Sequence, residues 1–167
     1  MRRTTRVMQR TILIPTDFTI ESLNLVKHAL HAEDAQKLDI ILVHGLHLTD
    51  SIFDLLFFSR TKNVEKLVNA DFEAACTILK NKFATRINSL RCQLFSGFTQ
   101  SAFINFLEGN RVDQIYIPQT YILQATASNS FDLMPYIKAS AVAVAEVHWE
   151  PLPHMPEKNL LAELFLL

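Results

Sequence analysis

The sequence predicts a doubly wound α/β domain. Two short runs, residues 11–15 (TILIP) and 39–44 (DIILVH), have the continuous β-rich hydrophobicity of strands buried on both faces of a parallel sheet. Such runs alternate with stretches of helical spacing, and strand–helix alternation implies parallel pairing through right-handed crossovers. The chain of 167 residues fits one domain, and its 49% hydrophobic and 20% charged content is that of an ordinary soluble globular protein. A domain of that size buries roughly 70% of its unfolded surface. Glycine occurs only three times. Average usage is about 7%, so few positions here take positive φ cheaply.

The elements follow in order. After the first strand, Thr19 is placed to cap a helix, with Phe18 and Leu23 at the two staple positions. Leu23, Val26 and Leu30 recur at helical spacing and leave Glu21, Lys27 and His31 for water. The second strand, 39–44, leads into a mixed stretch containing the apolar run IFDLLFF, with Phe53, Phe57 and Phe58 free to form a lid or a docking patch. A long helix is predicted over 63–86 from Val64, Leu67, Val68, Phe72, Ala75, Leu79 and Phe83. A third strand follows over 87–95 and is broken by Gly97. Thr99 then caps a helix carrying Phe103, Phe106 and Leu107, which ends near Gly109.

Residues 113–117 form the fourth strand. The last helix is expected over 131–139, with Leu133, Met134 and Ile137 inward and Ser130 or Asp132 as its cap. Pro135 is tolerable there only within the first turn. Small side chains in 141–147 (AVAVAEV) make the fifth strand. Pro151, Pro153 and Pro156 then give a stiff connector to the apolar segment 159–167 (NLLAELFLL). Nine residues are marginal as an isolated helix, so that segment is expected to dock on its own domain, on a second subunit or on another partner. The expected organisation is a basic flexible N-terminus over 1–10, a folded domain over 11–148, and the connector with its apolar segment over 149–167.

Charge and cysteine content exclude several classes. The net charge of −1 conceals four arginines in the first ten residues, while the rest carries twelve basic and seventeen acidic side chains. No basic patch interleaved with aromatics follows, so no nucleic-acid contact is expected. Arg2-Arg3 lacks the apolar h-region of an export signal, and no run reaches the ~18 apolar residues of a membrane span. Cys76 and Cys92 lack CxxC spacing and fit a reduced cytoplasmic chain in which each is a small buried hydrophobe.

The order of the pieces has a family likeness. ILIPTDF at the first strand, a capped helix and DIILVHG closely resemble universal stress proteins. VDQIYIP, a loop, a short helix and AVAVAEV extend that similarity over residues 11–147. The resemblance implies a five-stranded parallel doubly wound sheet of strand order 3-2-1-4-5, adenine nucleotide alpha hydrolase-like, with its ligand crevice where strands 1 and 4 diverge. By the same resemblance Pro15, Thr16 and Asp17 lie beside the nucleotide, and Val43 lies by the adenine. A structural alternative for Asp17 is a carboxylate that accepts backbone amides near the helix start.

One stretch departs from the family. Nucleotide-binding members carry two glycines three apart after strand 4, then about nine residues, then Gly-Ser or Gly-Thr. In IYIPQTYILQATASNS, residues 115–130, the glycine positions hold Pro118, Tyr121 and Asn129, and only Ser130 matches. Proline removes an amide donor, and tyrosine puts a ring where a phosphate needs close backbone approach. The candidate ligand residues are therefore Pro15, Thr16, Asp17, Val43, Asn129 and Ser130, and no cofactor is expected. HGLH at 44–47 and the pair His28 and His31 have neither the position nor the spacing of a transferase or metal motif.

The expectation is a cytoplasmic, non-catalytic stress-response or regulatory protein that does not bind ATP in the usual way. It is expected to be a homodimer through the last strand, residues 141–147, aided by the C-terminal segment. The alternatives are an adenine-nucleotide sensor or weak ATPase holding ATP or AMP in the crevice, and an enzyme using His44 or His47.

Overall fold

The protein is described here by a computed structural model covering residues 8–34, 37–48 and 60–150. The basic segment before Met8, the stretch with Phe53, Phe57 and Phe58, and the connector and apolar segment after Glu150 lie outside the described residues. Strand β1 (Gln9–Pro15) pairs in parallel with β2 (Lys37–Leu46), from Gln9 opposite Lys37 to Pro15 opposite Val43. Strand β3 (Ile87–Phe95) lies on the far side of β2, and β4 (Gln114–Pro118) lies on the other side of β1. A short β5 (Ser130–Phe131) precedes the last strand, β6 (Ala143–Val147), which pairs in parallel with β4. The sheet order is β3-β2-β1-β4-β6, which is the expected 3-2-1-4-5 when the five long strands are counted.

Strand alternation explains why β1 and β2 read as unbroken apolar runs. Ile12, Ile14, Ile40 and Leu42 enter one core with Leu25, Val26, Phe72 and Leu79. Leu13, Ile41 and Val43 enter the opposite core with Phe103, Leu107 and Ile137. Both faces are covered, so the central positions Ile12–Ile14 and Ile40–Val43 are all apolar for a reason. Each fully buried Ile or Leu contributes about 1.5–3 kcal/mol, which makes these two strands the base on which the crevice is built.

Several boundaries differ from the sequence expectation, each for a local reason. β1 begins at Gln9, so Gln9 and Arg10 belong to the strand, and Arg10 is ion-paired at 2.6 Å with the buried Glu33. β2 extends past His44 through Gly45 and Leu46. Thr19 caps as expected, its Oγ1 accepting the Ser22 N–H at 3.2 Å, but the first turn is a 3₁₀ turn (Glu21–Leu23) before α1 (Asn24–Ala32).

The single helix predicted over 63–86 is two helices, α2 (Arg60–Leu67) and α3 (Ala70–Lys82). Asn69 breaks them, because its backbone is extended and its side chain accepts the Phe72 N–H at 2.8 Å. Thr99 caps α4 (Gln100–Gly109) as predicted. The last helix, α5, is only Met134–Lys138, with Pro135 in its first turn. It starts late because Ser130 and Phe131 pair antiparallel with Leu46 and Gly45 of β2. Ser130 is therefore not its cap, and Asp132 accepts the Met134 N–H at 2.9 Å instead.

The scarcity of glycine has an unexpected outcome. Positive φ is taken by Phe18 (58°) and Arg111 (53°), and by none of the glycines. Phe18 is held there by burial, with its ring edge-on to Phe72 at 5.6 Å. Cys76 and Cys92 are free thiols, partly buried against the first core rather than fully enclosed. Burial pushes their pKa values up to about 12 and about 11, so both stay protonated and unreactive.

Candidate functional site

β1 ends at Pro15 and β4 at Pro118, and the strand order reverses between them, so their carboxyl ends flank the crevice where open α/β sheets bind ligands. The turn after β1 is built by its own polar side chains. Thr16 donates its N–H to the Val43 carbonyl at 2.9 Å, and its Oγ1 accepts the Phe18 N–H at 3.0 Å. Those bonds fix the backbone that presents Asp17.

Asp17 is 3% exposed, yet it is not left open for a ligand. Its Oδ1 accepts the Thr19 N–H at 3.1 Å and the Thr19 hydroxyl at 2.5 Å. Its Oδ2 accepts the Tyr121 hydroxyl at 2.6 Å and the Gln124 N–H at 3.0 Å. Its carbonyl takes the Thr126 hydroxyl at 3.0 Å. Three residues of the glycine-free loop are thus anchored on one acid. A buried carboxylate must be matched by donors, and here the chain supplies four of them. Tyr121 is in turn covered by Trp149, with ring centroids 5.5 Å apart, and the Trp149 indole donates to Glu21 at 2.6 Å. Burial and the bond to Asp17 raise the Tyr121 pKa well above its ordinary value, so the phenol keeps the proton it donates.

The second half of the loop returns to β2. Asn129 donates from Nδ2 to the His47 carbonyl and receives the His47 N–H on its own carbonyl, both at 2.8 Å. Close approach of β5 requires Gly45, because a Cβ there would meet the Phe131 carbonyl oxygen at 2.6 Å. His44, 5% exposed, lies 2.8 Å by Nδ1 from the Thr16 carbonyl and 2.7 Å by Nε2 from Ser130 Oγ. A carbonyl only accepts, so Nδ1 carries the proton, and in the neutral ring Nε2 accepts the Ser130 hydroxyl. Burial lowers the His44 pKa, against the opposing pull of the Thr16 bond and the Asp17 charge, which keeps the ring neutral.

Pro15, Thr16, Val43 and Ser130, four of the six residues singled out from the sequence, line one cavity of about 130 Å³ together with His44. Asp17 and Asn129 are not on its wall; they hold the loop that forms it. Ligand pockets usually span ~300–1,000 Å³, so this cavity is smaller than most. Among the described residues, no other histidine lines it. His47 stacks on Phe131 at 4.2 Å and Phe98 at 5.2 Å, His28 stacks on Trp149, and His31 lies against Phe83. No group of three or more His, Cys, Asp or Glu side chains among the described residues is arranged to hold a metal ion. No helix among the described residues is long and apolar enough to cross a membrane.

Sequence reasoning missed Tyr121, Gln124 and Thr126 as partners of Asp17, and His44 as the partner of Ser130. A signal existed only for the last. A glycine inside a strand marks close backbone approach, and Gly45 is where β5 brings Ser130 to His44.

No family model matches this chain, and no curated protein does. Solved structures similar to it include the universal stress protein UspA from Lactobacillus plantarum, with a TM-score of 0.48, 14% identity, and 83% of this chain and 97% of that chain covered. A universal stress protein in complex with cAMP has a TM-score of 0.46, 17% identity, and 83% and 97% coverage. The hypothetical protein MJ0577 has a TM-score of 0.46, 19% identity, and 87% and 100% coverage.

Proposed function

We propose that the protein is a universal stress protein-like regulatory module whose nucleotide crevice is closed by its own chain. It holds no ATP in the usual way and does no chemistry on it. The reading is supported by the family likeness of residues 11–147 and by the sheet order β3-β2-β1-β4-β6. The observation that carries it is the saturation of Asp17, the residue the likeness places beside a nucleotide, by Thr19, Tyr121 and Gln124. A ribose hydroxyl seeking that carboxylate would have to displace a tyrosine and a backbone amide that already satisfy it.

The module works as a cytoplasmic homodimer. Support comes from β6, which among the described strands is an edge strand paired only with β4, with Val144 37% exposed and small neighbours on either side. Titration calorimetry and thermal unfolding with Mg-ATP and with AMP test the ligand reading. A ligand at a hundred times its Kd stabilises the fold by about 2.7 kcal/mol, a shift of several degrees. We expect no heat and no shift at millimolar nucleotide. Saturable micromolar, Mg²⁺-dependent ATP binding would overturn the proposal.

A further inference from the structure

We propose that Ser130 and His44 act as nucleophile and general base toward small carboxylic esters that enter the cavity between β1, β2 and the 119–130 loop. This goes beyond the regulatory reading and does not depend on it. Ser130 Oγ and His44 Nε2 are 2.7 Å apart, within the reach that proton transfer requires. The His44 ring is oriented by a third group, the Thr16 carbonyl on Nδ1. Nucleophile, base and orienter in that sequence are the arrangement that activates a hydroxyl. The direction of each bond is set by chemistry, since the carbonyl forces the proton onto Nδ1 and frees Nε2 to take the one on Oγ.

The surroundings fit the same step. Thr16, His44 and Ser130 all line the cavity of about 130 Å³, and Ser130 Oγ, which donates to His44, also accepts the Ala127 N–H at 3.0 Å, which holds the hydroxyl in place. A hydrocarbon-lined cavity of about 150 Å³ accepts benzene, so the acyl group here is limited to a few carbons. Burial keeps His44 neutral at neutral pH, while the Asp17 charge favours the imidazolium that forms during the reaction.

The chemistry balances without another reactant than water. Ser130 Oγ bonds to the ester carbonyl carbon as its proton passes to His44 Nε2. The bond from that carbon to the leaving oxygen breaks, and the alcohol leaves with the proton from Nε2. Water then attacks the acyl-Ser130 carbonyl and gives a proton to Nε2. The carbon–Oγ bond breaks, Oγ recovers the proton, and a carboxylic acid departs.

The test uses the full chain with a small alkyl fluorophosphonate, which traps an activated serine by forming a P–Oγ bond with loss of fluoride. Intact-mass spectrometry is expected to show a single adduct, and peptide mapping to place it on Ser130. Hydrolysis of p-nitrophenyl acetate should exceed that of p-nitrophenyl octanoate. Ser130→Ala should abolish the adduct, whereas Ser128→Ala, at an exposed neighbour, should leave it unchanged. His44→Gln should slow labelling by about 100-fold or more. The wild-type protein alone decides the matter if a variant fails to fold. No adduct on the folded wild type, or an adduct elsewhere than Ser130, overturns the proposal and leaves the 2.7 Å contact as a loop anchor.

Discussion

His44 is where pH should act on the fold. Its pKa lies below the ordinary 6.5 because burial outweighs the Thr16 carbonyl and the Asp17 carboxylate, both of which favour the cation. Unfolding restores the ordinary value, so between the two values the unfolded chain binds more protons. The contribution of His44 is therefore complete above pH 6.5 and is lost as pH falls toward the folded-state value, by at most about 1.4 kcal/mol per unit. Urea unfolding at about pH 7.5 and about pH 5.5 should show a larger loss for wild type than for His44→Gln. Equal losses would remove His44 as the source. The local environment of Asp17 was partly legible, since a carboxylate two residues past a buried strand invites N–H donors such as that of Thr19. Tyr121 was not, because its hydroxyl meets Asp17 across 104 residues and no local pattern encodes that meeting.

At the level of elements, β1 and β2 were the most legible part, because their continuous apolar runs are what a sheet buried on both faces requires, whereas β3 alternates only weakly. The break between α2 and α3 was hidden, since Val64, Leu67, Val68 and Phe72 keep helical spacing across it. Only Asn69, able to satisfy a free N–H, distinguishes two helices from one. Replacing it by alanine removes that acceptor and should cost about 1 kcal/mol, seen as a fall of about 2–4 °C in calorimetric melting. A gain in stability would mean that one continuous helix suits these residues better. β5 was hidden for a different reason. Two residues are too few to show a period, and the pairing depends on the absence of a side chain at Gly45 on the partner strand.

For the molecule as a whole, parallel pairing followed from alternation and the strand order from family likeness, whereas the bonds that tie the 119–130 loop to Asp17 depended on contacts no alternation predicts. The exposed edge at β6 gives the whole-molecule prediction. Light scattering behind gel filtration should return twice the chain mass for wild type, and Val144→Glu should return a single chain by setting like charges against each other across the new edge. A dimer that survives the substitution would place the interface elsewhere. The saturation of Asp17 also has a consequence in time. Its partners on the loop stand 104, 107 and 109 residues further along, so during synthesis the acid is made long before Tyr121, Gln124 and Thr126 exist. A nascent chain that ends before β4 keeps a hydrated carboxylate where the finished protein has a sealed one. Contacts of such long sequence separation are among the slowest to form. The bonds from the loop to Asp17 are therefore expected among the last contacts to form.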